Sequence, residues 1–196
     1  TRKRSSAASD VYKRQTILKA ERVMLNLLQR LSGVATQTKN YVDALDDATI
    51  AVMDTRKTTP LHRFLERKAV VAGGGVNHRL NLSDMVLIKE NHLTAFLAKN
   101  YLSELPILFQ RFKDENPGKK IEIEIETLEQ LRTYDLMDVD YIMLDNFDLA
   151  DIETAVSVCK DRKFPAEIEV SGNVTLDTIG QYKGCPIHRI SVGSLT

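Results

Sequence analysis

The chain has 196 residues, 43% of them hydrophobic and 28% charged, with 27 basic residues balanced by 27 acidic ones. That is enough material for one soluble domain with a sizeable core. It excludes a membrane-spanning helix, since no apolar run nears the roughly 18 residues one needs.

No signal-peptide pattern is present. Cys159 and Cys185 have neither a Cys-x-x-Cys partner nor a histidine at zinc-ligand spacing, so the sequence predicts free thiols in a reducing cytoplasm. The neutral total hides an asymmetry. Arg2, Lys3, Arg4, Lys13 and Arg14 against the single Asp10 give the first fifteen residues a charge of +4, which leaves the rest at −4. The Ser5–Ser9 stretch has no amphipathic period, so residues 1–15 are read as an unstructured or foreign leader, and residues 16–196 as the folded domain. An acidic body gives no electrostatic case for nucleic acid.

From Ile17 to about Leu45 the pattern is helical, with Val23, Leu27, Leu28 and Leu31 on one face and Gly33 marking a bend or a close contact. Elements then alternate. Strand-like runs fall near 50–55, 85–89, 121–125, 141–145, 167–171 and 189–193. Helical stretches fall near 60–70, 93–115, 127–136, 148–161 and 175–182. Pro60 suits a first helical turn, Asp148 and Thr175 suit N-caps, and Asn116-Pro117-Gly118 is a stop. Repeated β–α units imply a parallel sheet.

Strand parity selects its form. In Ile121-Glu122-Ile123-Glu124-Ile125-Glu126 the isoleucines share one face and the glutamates the other. Glu167–Ser171 and Arg189–Gly193 repeat the pattern. A doubly wound sheet buries both faces and reads as continuous apolar runs. These strands instead predict an open or incomplete parallel α/β barrel, preceded by a long helix, with a polar lumen; the alternative is edge strands with a solvated face. Chemistry in such barrels sits at the C-terminal strand ends, where Arg56, Lys57, Lys89, Glu124, Asp145, Ser171 and Gly193 fall.

Arg56 and Lys57, flanked by Thr55, Thr58 and Thr59, suit a doubly charged anion; the bland reading is a solvated basic loop. Gly73-Gly74-Gly75 lets the backbone approach a ligand and adopt positive φ, and His78-Arg79 follow it closely. His62, His92 and His188 lack a partner pattern and read as structural. Glu124 and Asp145 fit hard-cation chemistry with Mg²⁺, or else only balance the cations; Glu122 and Glu126 share the parity of Glu124, and alternation alone does not choose among the three. Ser171-Gly172-Asn173 and Ser191-Val192-Gly193-Ser194 are strand-end turns that offer amides to a phosphate. No nucleophile elbow and no phosphate-binding loop of the Gly-Lys-Ser/Thr type occurs, which favours electrostatic over covalent catalysis.

Several runs carry a family resemblance: Ala20–Asn26, Gln29–Thr36, Asp54–Pro60, Gly73–Arg79, Leu87–His92, Leu144–Asn146, Glu169–Asn173 and Ile190–Thr196. Over residues 16–196 the chain resembles the quinolinate phosphoribosyltransferases, carboxylating enzymes of NAD synthesis. The resemblance implies conversion of quinolinate and phosphoribosyl pyrophosphate to nicotinate mononucleotide, pyrophosphate and carbon dioxide, with Mg²⁺. It places Arg22, Arg56, His78 and Arg79 around quinolinate and Lys57 and Lys89 on the phosphoribosyl donor. Glu124 and Asp145 would hold ribose hydroxyls and metal, and Ser171, Gly172, Asn173, Gly193 and Ser194 the 5′-phosphate. Asn173 stands where many relatives have glycine. The resemblance also implies a homodimer, with basic residues lent by the partner's N-terminal domain. Without such a domain before the long helix, and ending at Thr196, the chain is expected to be poorly active alone. Two other functions compete: phosphoribosyl transfer to another pyridine-type base, which needs fewer cations, and a non-catalytic fragment that binds phosphorylated ligands.

Overall fold

The computed structural model describes residues 2–98 and 101–196. Helix α1 (Arg2–Leu45) leads into strand β1 (Ala51–Met53), helix α2 (Arg63–Ala72), strand β2 (Met85–Ile88) and helix α3 (Glu90–Ala98). Helix α4 (Leu105–Glu115), strand β3 (Lys120–Ile125), helix α5 (Leu128–Thr133) and strand β4 (Tyr141–Asp145) follow. Helix α6 (Leu149–Asp161), strand β5 (Glu167–Ser171) and strand β6 (Arg189–Ser191) complete the regular elements. Every strand anticipated from parity is present.

All pairings are parallel, in the order β1-β6-β5-β4-β3-β2. Strands β1 and β2 do not pair with each other, so the sheet is open; a single bridge joins Met53 of β1 to Val76 on its far side. The sheet is nevertheless strongly curved. On a flat sheet β1 and β3, four positions apart, would be about 19 Å from each other. Yet His78, just past the bridge beside β1, lies 3.1 Å from Glu122 of β3.

The convex face carries Ile121, Ile123, Ile125, Ile142, Leu144, Ile168, Val170 and Ile190, all in one core cluster with helix residues such as Phe109, Leu131, Ile152 and Ala155. At about 25 cal/mol per Å² of apolar surface removed from water, this isoleucine-rich layer is the main source of stability. The concave face carries Glu122, Glu124, Met143, Glu169 and Ser191, all buried. The polar lumen predicted from alternation is therefore present.

Five local expectations are corrected. Residues 2–15 continue α1 rather than forming an unstructured leader; no glycine or proline occurs before Gly33 to stop the helix. Gly33 lies within α1, and a Cβ there would meet no atom within 4 Å, so close packing is not its reason. Pro60 does not open a helix: Leu61 has φ 66°, outside helical space, and α2 starts at Arg63. The run 93–115 is divided, because Pro106 must occupy the first turn of a new helix, α4. Residues 175–182 form only a 3₁₀ turn at Ile179–Tyr182, and Thr175 N–H bonds the Thr178 hydroxyl instead of Thr175 acting as a cap. Asp148 occupies the N-cap position of α6 without a side-chain bond, whereas Thr127 and Gln130 form a full capping box on α5. Among the described residues no helix is long and apolar enough to cross a membrane.

Candidate functional site

The concave face and the C-terminal strand ends enclose a cavity of about 1000 Å³. Lys57, Lys89, Glu124, Asp145, Arg56, His78, Arg79, Ser171, Gly172, Asn173, Gly193 and Ser194 all line it. Arg22 does not; it is exposed on α1.

The floor is a network of buried, mutually paired charges. Asp54, at the end of β1, accepts the His78 N–H at 2.7 Å and faces Arg67 of α2 at 3.5 Å. Arg67 donates in turn to the carbonyls of His78 and Arg79. Asn77, with its amide oriented to donate, reaches Asp54 Oδ2 at 2.7 Å. The three glycines before this segment serve a different purpose from the one anticipated. A Cβ on Gly73 would stand 2.3 Å from the Ala35 carbonyl of α1, and one on Gly75 2.7 Å from Thr38. The close approach is to α1 rather than to a ligand, and only Gly74 has positive φ.

His78 Nε2 lies 3.1 Å from Glu122 and 3.3 Å from Glu169. Burial lowers the His78 pKa, but hydrogen bonds to Glu122 and Glu169 outweigh it and push it up to about 10. The Arg79 N–H, however, donates to Nδ1 at 2.8 Å, which excludes a proton there. The ring is therefore the Nε2–H tautomer, and the surplus proton resides on the acid pair. Burial, with the neighbouring Glu169, raises Glu122 to about 7. Burial opposes ionisation of Glu169 too, but bonds from His78 and Ser191 lower its pKa. A proton on Glu122, shared with Glu169, also gives a role to Glu169 Oε2, which is buried and has no hydrogen-bond partner among the described residues. His78, Glu122 and Glu169 have the donor set of a transition-metal site, but Nε2 carries the ring's only proton and has no lone pair to give.

The rim is different. Arg56 is half-buried, and its Nε is buried with no hydrogen-bond partner among the described residues. Arg79, 7% exposed, has one amine on the Met85 carbonyl at 3.0 Å. Burial and then repulsion from Arg56 lower the Arg79 pKa. Two guanidiniums that repel each other at a cavity wall are an anion site in waiting. The Arg56 loop is held from outside: Arg63 donates to the Arg56 carbonyl, and the buried Glu66 accepts from Thr59 and Arg30. Lys89 pairs with Glu124. Asp145 accepts from the Ser171 hydroxyl at 2.6 Å, and Ser194 Oγ lies 2.8 Å from the hydroxyl of Tyr41, reaching in from α1.

A family model described as quinolinate phosphoribosyl transferase, C-terminal domain, matches residues 34–196. The chain belongs to the quinolinate phosphoribosyltransferase family. It is 43% identical over 180 residues to a probable nicotinate-nucleotide pyrophosphorylase (carboxylating) of Bacillus subtilis, covering 92% of this chain and 60% of that relative. The corresponding Mycobacterium leprae protein is 37% identical, with 92% and 61% covered. The solved structure of NadC from Streptococcus pyogenes aligns with TM-score 0.81 at 42% identity, over 93% of this chain and 61% of that one. The chain thus spans about three fifths of the length of these relatives.

Within this family member, sequence reasoning missed Tyr41, Asp54, Arg67, Glu169 and Asn146 as parts of the site and left the choice among Glu122, Glu124 and Glu126 open. Asp54 and Asn146 lay inside the matching motifs. Glu122 shares the parity of Glu124, and Glu169 shares that of Ser171. Nothing local marks Tyr41 or Arg67. His62, His92 and His188 line no part of the cavity; His92 and His188 accept backbone N–H bonds, a structural use.

Proposed function

We propose that this cavity joins quinolinate to the phosphoribosyl group of phosphoribosyl pyrophosphate, releasing pyrophosphate and carbon dioxide and giving nicotinate mononucleotide for NAD synthesis. The observation that carries this reading is the Arg56 Nε, buried and without a hydrogen-bond partner among the described residues, beside Arg79, in one cavity with two acids and two phosphate-type turns. A dicarboxylate between the guanidiniums relieves their repulsion.

Arg56 and Arg79 hold the two carboxylates, and the His78 ring, both nitrogens engaged elsewhere, forms a wall beneath them. Lys57 and Lys89 meet the pyrophosphate, Lys89 leaving Glu124 to do so. As pyrophosphate departs, positive charge grows on the ribose, and Glu124 and Asp145 stabilise it. Ser171, Gly172, Asn173, Gly193 and Ser194 hold the 5′-phosphate. The ribosylated pyridine nitrogen is cationic and stabilises the electron pair left when carbon dioxide leaves, so no protein nucleophile is needed. Glu124 and Asp145 offer the hard oxygens that Mg²⁺ takes together with substrate oxygens, and both line the cavity within reach of its solvent. Bound there, the ion would neutralise the leaving pyrophosphate. Arg22, exposed away from its own cavity, serves that of a second copy in a homodimer. Free Cys159 and Cys185 accord with a cytoplasmic setting.

Calorimetric titration tests the reading. Quinolinate is expected to bind, and Arg79→Ala to weaken it about 100-fold while phosphoribosyl pyrophosphate binding holds. Equal weakening of both ligands would favour another pyridine-type base. Absence of quinolinate binding to the unsubstituted chain would overturn the proposal.

A further inference from the structure

The turn after β4 carries a residue to which the reading above gives no role. Asn146 has φ 56°, a left-handed conformation that asparagine tolerates better than most residues. Its backbone N–H donates to the Ser171 carbonyl at 2.9 Å, tying the end of β4 to the end of β5. Its side-chain amide then faces both ways. Nδ2 donates to Asp145 Oδ2 at 3.0 Å, and Oδ1 accepts from Asn173 Nδ2 at 3.1 Å. Asp145 Oδ1 takes the Ser171 hydroxyl at 2.6 Å. The carboxylate thus has one donor on each oxygen and is fixed in rotation, with its remaining lone pairs free. The fit is close: a Cβ on Gly172 would stand 2.2 Å from Asn146 Oδ1, and Gly172 has φ +96°. Asp145, Asn146, Gly172 and Asn173 all line the cavity.

We propose that Asn146 is the positioning residue that locks the acid Asp145 in register with the Gly172–Asn173 turn, so that both ends of a sugar phosphate are gripped at one fixed spacing. The inference rests on the phosphoribosyl reading and specifies how that half of the cavity recognises its ligand. Asn146 acts through Asp145 and the turn, with no need to touch the ligand. Replacing it leaves the Arg56–Arg79 end untouched.

The test titrates ribose 5-phosphate with Mg²⁺, and separately quinolinate, into the chain. Asn146→Gly keeps the left-handed backbone and removes the amide. It is expected to weaken ribose 5-phosphate about tenfold, as loss of pre-set geometry does, and to spare quinolinate. Asn146→Asp keeps the acceptor for Asn173 but sets a second carboxylate beside Asp145. The contact to the turn is kept and the donor to Asp145 is lost, so ribose 5-phosphate is expected to weaken while inorganic phosphate, held by the turn alone, binds as it does to the unsubstituted chain, a split that a merely structural role would not produce. Unchanged ribose 5-phosphate binding in Asn146→Gly, equal loss of both ligands, or equal loss of ribose 5-phosphate and inorganic phosphate in Asn146→Asp overturns the assignment of Asn146 alone. Failure of the unsubstituted chain to bind ribose 5-phosphate overturns the phosphoribosyl reading and this inference with it.

Discussion

The floor and the rim of the cavity are built from the same residue types and handle charge in opposite ways. In the floor, Asp54, Arg67, Glu122, Glu169 and His78 are buried and answer one another's charges or protons. On the rim, Arg56 keeps a donor without a partner and Arg79 is crowded by it. Satisfied buried groups hold a shape, and unsatisfied ones wait for a ligand. The contrast separates positioning from binding within a single pocket.

The contrast is broken most readily at Arg67. Arg67→Ala leaves Asp54 buried without its cation and frees two carbonyls, and is expected to cost about 3–5 kcal/mol of stability. Urea unfolding measures this; a loss below about 1 kcal/mol would show that the floor is not a mutually dependent network.

The acid pair comes next. Burial raises the Glu122 pKa to about 7, so the folded chain keeps a proton the unfolded chain gives up from about 4.5 upward. The stabilisation from this group is complete below the unfolded value and lost as pH rises through about 7. Glu122→Gln mimics the protonated acid and should flatten the decline in stability between pH 5 and 8. Glu169 has its pKa lowered, so its contribution is present above the unfolded value and lost in acid. Glu169→Gln removes the ionised partner of Ser191 and Arg189 and should cost about 2 kcal/mol at pH 7. Equal effects of the two substitutions at pH 7 would contradict the assigned proton.

On the rim, Arg56→Ala should change unfolding free energy by no more than about 0.5 kcal/mol while abolishing measurable quinolinate binding. A large stability loss there would erase the distinction between the regions. The smallest effect is expected outside both, at Gly33. With open space around it and a helical backbone, Gly33→Ala should gain up to about 1 kcal/mol, or a rise in Tm of about 2–4 °C.

The sheet was legible because alternation is local: Ile121, Ile123 and Ile125 against Glu122 and Glu124 declare two faces within six residues. So were Arg56, Lys57 and Lys89, which follow β1 and β2 directly, whereas Arg79 follows α2 and a single bridge and was marked only by the glycines before it. The floor was not, because His78, Glu122 and Glu169 meet only once the sheet has curved and separate strands converge. Gly73 and Gly75 were misread for the same reason, their real neighbours being Ala35 and Thr38 of α1, far upstream in the chain. Arg22 lies in a matching motif, but motif membership does not specify which surface of α1 it occupies. The division at Pro106 was available from its side-chain chemistry alone, and helical periodicity on both sides concealed it.

Met143 sits between Glu124 and Glu169 in the parallel register and is 5% exposed. A thioether in that slot offers neither acid a strong hydrogen bond and keeps Glu124 and Glu169 from pairing with each other across β4. Each acid is left to the partners on its own side, Lys89 for Glu124 and Ser191 for Glu169, so one apolar side chain divides the acids of the concave face into two separate sets.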